Sequence, residues 1–143
     1  MGYEFNGDKL NEIKQSQTQD HLSEYVTYNK ELCNEMLRLS KTYKLCCASN
    51  ATEVFVFRSL ELMQLHHRPD GYQVFSKINT ATDFPAKPDT TTFMDCMRWT
   101  NSSPATTAIF EDSPVGIQCA VSTGSTVIKV IDVNDTIKQM GKF

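Results

Sequence analysis

The sequence predicts an α/β fold in three layers, with helices on both faces of a mostly parallel sheet of four or five strands. Three observations predict it. Short apolar runs of strand length recur at Lys44–Ser49, Tyr72–Ile78, Thr106–Phe110 and Thr126–Ile131. Segments with helical spacing alternate with them. The stretch TAIFEDSPVGIQCAVSTGSTVIKVID (Thr107–Asp132) holds a complete strand–helix–strand unit, the βαβ element of a parallel sheet joined by a right-handed crossover.

In chain order, residues 6–20 (NGDKLNEIKQSQTQD) are polar and read as a loop. Leu22, Tyr25, Val26, Leu32, Cys33, Met36 and Leu39 mark one face of a helix over Leu22–Ser40. KLCCAS at Lys44–Ser49 is a buried strand. Thr52–Leu65 is a second helix with Val54, Phe57, Leu60 and Met63 as its apolar face, stopped by His66-His67-Arg68-Pro69-Asp70-Gly71. Tyr72–Ile78 is a strand and Ala81–Pro88 a loop. Asp89–Trp99 is a helix with Asp89 as its N-cap, and Asn101–Pro104 turns the chain into the third strand. Ser113-Pro114 is a strong helix start, with serine as N-cap and proline at the first helical position. Val115, Ile117, Ala120 and Val121 then keep helical spacing, and Gly124 sits where a C-terminal glycine belongs. Asp132-Val133-Asn134-Asp135, after the last strand, reads as surface loop.

Composition narrows the function classes. At 143 residues the chain is expected to form one domain, 1–143, and its eight phenylalanines and 40% hydrophobic content can fill a core. The net charge of −3 offers no basic field for nucleic acid. No apolar run approaches the roughly 20 residues that span a bilayer, so no membrane partner is expected. MGYEFNGDKL has no signal-peptide pattern, and Asn6 stands where a myristoylation motif wants Ser or Thr. Five cysteines without a C-x-x-C pair read as reduced core thiols, and with the missing signal they set the expectation of a cytoplasmic protein. His66-His67 has no third metal ligand at a convincing spacing, and Trp99 reads as core.

Three features carry chemistry. Ser49-Asn50 ends a buried strand just before a helix, where a hydroxyl and free helix amides can hold a phosphate. Lys87 lies just ahead of the next helix, and its ammonium can neutralise a phosphate or developing negative charge. Glu111 and Asp112 end a strand beside a helix N-terminus, a place where carboxylates can bind a hard cation such as Mg²⁺.

In this order and on this scaffold, LCCASNAT (Leu45–Thr52), AKPDTTTF (Ala86–Phe93) and IFEDSPVGIQCA (Ile109–Ala120) resemble the second, third and fourth motifs of the haloacid dehalogenase superfamily. The EDSPxGI string is similar to that of its sugar-phosphatase and phosphoglucomutase-like branch. The resemblance runs from about Glu24 to Asp132. It implies a Rossmann-like core and Mg²⁺-dependent removal of phosphate from a small phosphorylated metabolite. Ser49 and Asn50 would bind the phosphoryl group, Lys87 would steady the nucleophile and phosphate, and Asp112 with Glu111 would hold Mg²⁺.

The family's first motif, DxDxT, does not occur in this chain. Tyr3-Glu4-Phe5-Asn6-Gly7-Asp8 is similar to a degraded form of it, with Glu4 at the nucleophile position and Asn6 at the acid/base position. Glutamate displaces the attacking oxygen by about a bond length, and asparagine cannot exchange a proton as the acid/base must. The expected activity of the chain alone is therefore weak or nil. The alternatives are a catalytically dead phosphate-binding or protein-interaction module, and the C-terminal half of a split phosphatase. In the family the first-motif strand lies between the strands of the second and fourth motifs. Either Gly2–Phe5 is expected to fill that slot, or a second chain or copy supplies the central strand, or the sheet rearranges. The family's cap domain is expected to be absent, since only a short polar stretch separates Asn6 from the first helix.

Overall fold

The computed structural model describes Leu22 and residues 26–143. Glu4 and Asn6, and the proposed strand at Gly2–Phe5, lie outside the described residues.

The first helix, α1, spans Lys30–Ser40 and starts at Asn29, whose side chain accepts from the Leu32 amide at 2.9 Å. It is shorter than the periodicity predicts: a side-chain cap opens the helix at Asn29, although Leu22 and Val26 are buried in the same core as its apolar face. The strand β1 (Leu45–Ala48) follows, then α2 (Glu53–Leu62) and β2 (Phe75–Asn79). Helix α2 ends before the predicted Leu65, because Gln64 turns into the left-handed region at φ 58° and Leu65 bonds back to the Leu60 carbonyl at 2.8 Å. Next come α3 (Thr91–Trp99), a short 3₁₀ turn at Pro104–Thr106, β3 (Ala108–Glu111), α4 (Pro114–Ser122) and β4 (Thr126–Lys129). Ser113 caps α4 as predicted, accepting from the Gly116 amide at 3.0 Å, and Gly124 adopts φ 82° just past the helix end.

The last element corrects the reading of Asp132–Asp135 as loop. Asp132 is the N-cap of α5 (Val133–Met140), accepting from the Asp135 amide at 2.8 Å. Val133, Thr136, Ile137 and Met140 then fall on one helical face against the core.

The strands form two parallel pairs. β1 pairs with β2 and β3 pairs with β4, so β1–α2–β2 and β3–α4–β4 are two βαβ units joined through α3. Side chains alternate across the strands and sort the core into two layers. Cys47, Phe75 and Phe110 join Leu32, Met36, Leu60 and Met140 under α1, α2 and α5. Ala48 and Ile109 pack against Phe93, Met97, Cys119 and Ala120 under α3 and α4. The fold is therefore the predicted three-layer α/β type, and Cys33, Cys46, Cys96 and Cys119 are free thiols.

The facing edges of β1 and β3 line one cavity of about 420 Å³, with Leu45, Cys46 and Ala48 on one wall and Ala108, Ile109 and Phe110 on the other. Among the described residues no strand hydrogen-bonds to either of these two edges. Three apolar assignments are corrected. Val54 in α2 and Val115 and Val121 in α4 are exposed, while Val56, Gly116 and Cys119 are buried. In α4 the buried face of Gly116, Cys119 and Ala120 is turned about one residue from the predicted one; in α2 Leu60 and Met63 are buried as predicted and Val56 and Ser59 join them in place of Val54. Trp99 is not core: its indole is exposed and carries the Lys77 ammonium 4.3 Å above its ring.

Candidate functional site

The site forms where the carboxyl ends of β1 and β3 come together, the edge at which open α/β sheets bind ligands. Ser49 continues β1 by donating its amide to the Asn79 carbonyl at 3.0 Å, and its hydroxyl accepts from the Ala51 amide at 3.1 Å. The chain then turns into α2, whose Glu53 amide is taken by the Thr82 hydroxyl at 2.9 Å. That helix start is thus partly capped from the loop after β2.

Asn50 has a role the sequence does not suggest. Its side-chain oxygen accepts from the Lys87 amide at 2.7 Å, and its side-chain nitrogen donates to the Lys87 carbonyl at 3.3 Å. This two-point clamp fixes the backbone of Lys87 against the end of β1. The Lys87 side chain runs inward over the Phe93 ring, 5.2 Å from its centroid. Its ammonium donates to the Ala48 carbonyl at 3.1 Å and pairs with Glu111 Oε1 at 2.6 Å. Those contacts use two of its three donors.

Lys87 and Glu111 are buried, at 8% and 1% side-chain exposure. A pair so far from water is held by its geometry, and either charge left alone would be strongly unfavourable. Asp112, next in sequence, is exposed. Partial burial and the neighbouring Glu111 charge push its carboxyl above the ordinary carboxylate range, against smaller opposing contributions from backbone amides and Lys87.

Ser49, Lys87 and Asp112 are therefore gathered around one rim by Lys87, which touches the carboxyl ends of both strands. The two acids differ: Glu111 faces inward to Lys87, and Asp112 carries the charge that is not neutralised. His66 and His67 are elsewhere, past the C-terminal end of α2, where His66 stacks on Phe57 at 4.9 Å and His67 contacts Glu61 at 2.7 Å. Sequence reasoning missed the Asn50 clamp, the Phe93 ring and Gly116, which lies against Glu111. A glycine inside an apolar helix was the one available signal for the last of these.

A family model, haloacid dehalogenase-like hydrolase, matches residues 3–130. The chain belongs to the haloacid dehalogenase-like hydrolase family. Solved structures share the fold. A hydrolase from Streptococcus pneumoniae TIGR4 superposes with a TM-score of 0.69 at 13% identity, covering 96% of this chain and 69% of that one. A predicted phosphoglycolate phosphatase from Haemophilus somnus gives 0.62 at 21% identity, covering 79% and 49%. A β-phosphoglucomutase from Clostridium difficile gives 0.62 at 17% identity, covering 94% and 60%. The chain thus spans about half to two-thirds of the length of these haloacid dehalogenase-like and related structures. No curated protein sequence matches it. Among the described residues no helix is long and apolar enough to cross a membrane.

Proposed function

We propose that this haloacid dehalogenase-like domain serves phosphoryl transfer to water, acting on a small phosphorylated metabolite with Mg²⁺. The observation that carries the reading is Lys87: its ammonium joins the end of β1, beside Ser49, to the end of β3, beside Asp112. A phosphoryl group at that rim would meet the Ser49 hydroxyl and the remaining Lys87 N–H, both suited to phosphate oxygens. Asn50 acts indirectly by holding Lys87 in register.

The donor set fits Mg²⁺, which takes oxygen ligands and is commonly held by one or two carboxylates, waters and substrate phosphate. Among the described residues there is no cluster of three such side chains, so Asp112 would be the protein ligand, while Glu111 pairs with Lys87. The cation would offset charge on the phosphoryl oxygens. Asp112 would orient it, and Lys87 would neutralise the opposite side of the group. By position in the family motif, Glu4 would stand at the nucleophile and Asn6 at the acid/base, which makes turnover slow or absent.

The cavity between β1 and β3 has room for a central strand, and in a second reading another polypeptide supplies that strand with its nucleophile. One assay separates the readings: hydrolysis of a generic phosphomonoester with and without Mg²⁺. Turnover lost in both Asp112→Ala and Glu4→Gln supports catalysis within the chain. Turnover lost in Asp112→Ala but kept in Glu4→Gln places the nucleophile elsewhere. No turnover, with inorganic phosphate still bound through Ser49 and Lys87, leaves a phosphate-binding module. Turnover that survives Lys87→Met and Asp112→Ala rejects the site.

A further inference from the structure

Gly116 lies in the first turn of α4, at the third helical position, with its amide bonded to the Ser113 hydroxyl at 3.0 Å. Its backbone is ordinary helix, so the conformational freedom of glycine is not what the position uses. Space is. A Cβ built there would come within 2.7 Å of Glu111 Oε1, and closer still to Cδ and Oε2. Glu111 has little room to retreat, since it is 1% exposed and its other face holds Lys87. The helix backbone cannot move away cheaply either, because Cys119 and Ala120 pack α4 into the core beneath Ala48 and Phe93.

We propose that Gly116 is the positioning residue of the Lys87–Glu111 pair. Its bare Cα lets the Glu111 carboxylate lie buried against the first turn of α4 and hold Lys87 at the end of β1. The carboxylate gains from the location, because the N-terminal turn of a helix favours negative charge. The helix loses, since glycine is less favourable than alanine in a helix interior. The position therefore gives up helix stability for the geometry of an ion pair whose carboxylate comes from the preceding strand. With any side chain at 116, Glu111 must rotate out, and Lys87 loses the partner that holds it against the Ala48 carbonyl.

Thermal midpoints of four proteins test this: the parent chain, Gly116→Ala, a Lys87→Met/Glu111→Ala background, and that background with Gly116→Ala. The background removes both charges, so neither is left orphaned in the core. Gly116→Ala is expected to lower the midpoint of the parent by several degrees and to raise that of the background, where helix propensity alone remains. Proton–nitrogen spectra of lysine ammonium groups give a readout that general packing would not move. The Lys87 signal, assigned through Lys87→Arg, is expected to be protected from exchange in the parent and lost in Gly116→Ala. The proposal is overturned if Gly116→Ala leaves the parent midpoint equal or higher, if it costs the same in both backgrounds, or if the protected Lys87 signal survives. Should Gly116→Ala not fold at all, a folded triple variant supports the proposal and an unfolded one overturns it. No substrate is involved, so the result stands apart from the phosphohydrolase reading.

Discussion

Lys87 is where the two halves of the site meet. Replacing it with methionine leaves Glu111 buried and unpaired, and is expected to cost about 3–5 kcal/mol in chemical denaturation. Removing both charges in Lys87→Met/Glu111→Ala should recover much of that loss. Asp112 behaves differently. Its carboxyl is held above the ordinary range by burial and by Glu111. The folded chain therefore keeps a proton in a window where the unfolded chain has released it. The stabilising contribution is full below the ordinary carboxylate value and is lost as pH rises through the raised one. Asp112→Asn should accordingly gain on the parent in thermal midpoint from acid toward neutral pH, and the difference should then level off. Mg²⁺ should raise the midpoint of the parent near neutrality and leave that of Asp112→Asn unchanged; an equal rise in both would remove the cation from Asp112. The sequence showed Ser49, Glu111 and Asp112 as polar residues at strand ends and Lys87 as a cation just ahead of a helix. It did not separate the two acids, because which carboxylate faces inward depends on the strand pleat and on the room left by Gly116.

At the scale of elements, caps were legible and faces were less so. Ser113-Pro114 announced α4 through local chemistry alone. The same chemistry works at Asp132, where Asp132→Ala should cost about 1 kcal/mol and fray α5, measurable as faster amide exchange at Asp135 and Thr136. The sequence at Asp132–Asp135 reads as loop because α5 carries few apolar residues and its stability comes from docking beside α1, where the Arg38 guanidinium donates to the Met140 carbonyl at 3.1 Å. In α4 the spacing is helical and the buried face is turned, whereas in α2 Leu60 and Met63 face the core as predicted and Val54 does not. An apolar helix rich on all sides has no unique stripe, so the sheet decides which side is buried. Leu60, fully inside the core under α2, is expected to cost about 2–5 kcal/mol as alanine, whereas Val54→Ala on the exposed side should be nearly neutral in the same denaturation experiment.

At the scale of the molecule, two parallel βαβ units are held together by side chains from both. Phe110 leaves β3 to pack in the layer that Cys47, Leu60 and Met140 share, and Lys87 ties the strand ends. Phe110→Ala is expected to cost about 3 kcal/mol, the lower end for buried phenylalanine, and to accelerate amide exchange in β1 and β3 alike. Loosening confined to β3 and β4 would show that the two units unfold separately. The sequence by itself determined the α/β class, the order of strands and helices, and the three polar positions that reach the rim. These follow from periodicity, caps and turn residues, which act over a few neighbours. Only the tertiary structure decided that the strands associate as two pairs flanking a cavity, that Asn50 serves Lys87, and that Glu111 is buried where Asp112 is not. Each of those depends on distances between segments far apart in the chain, and close packing rather than local propensity fixes them.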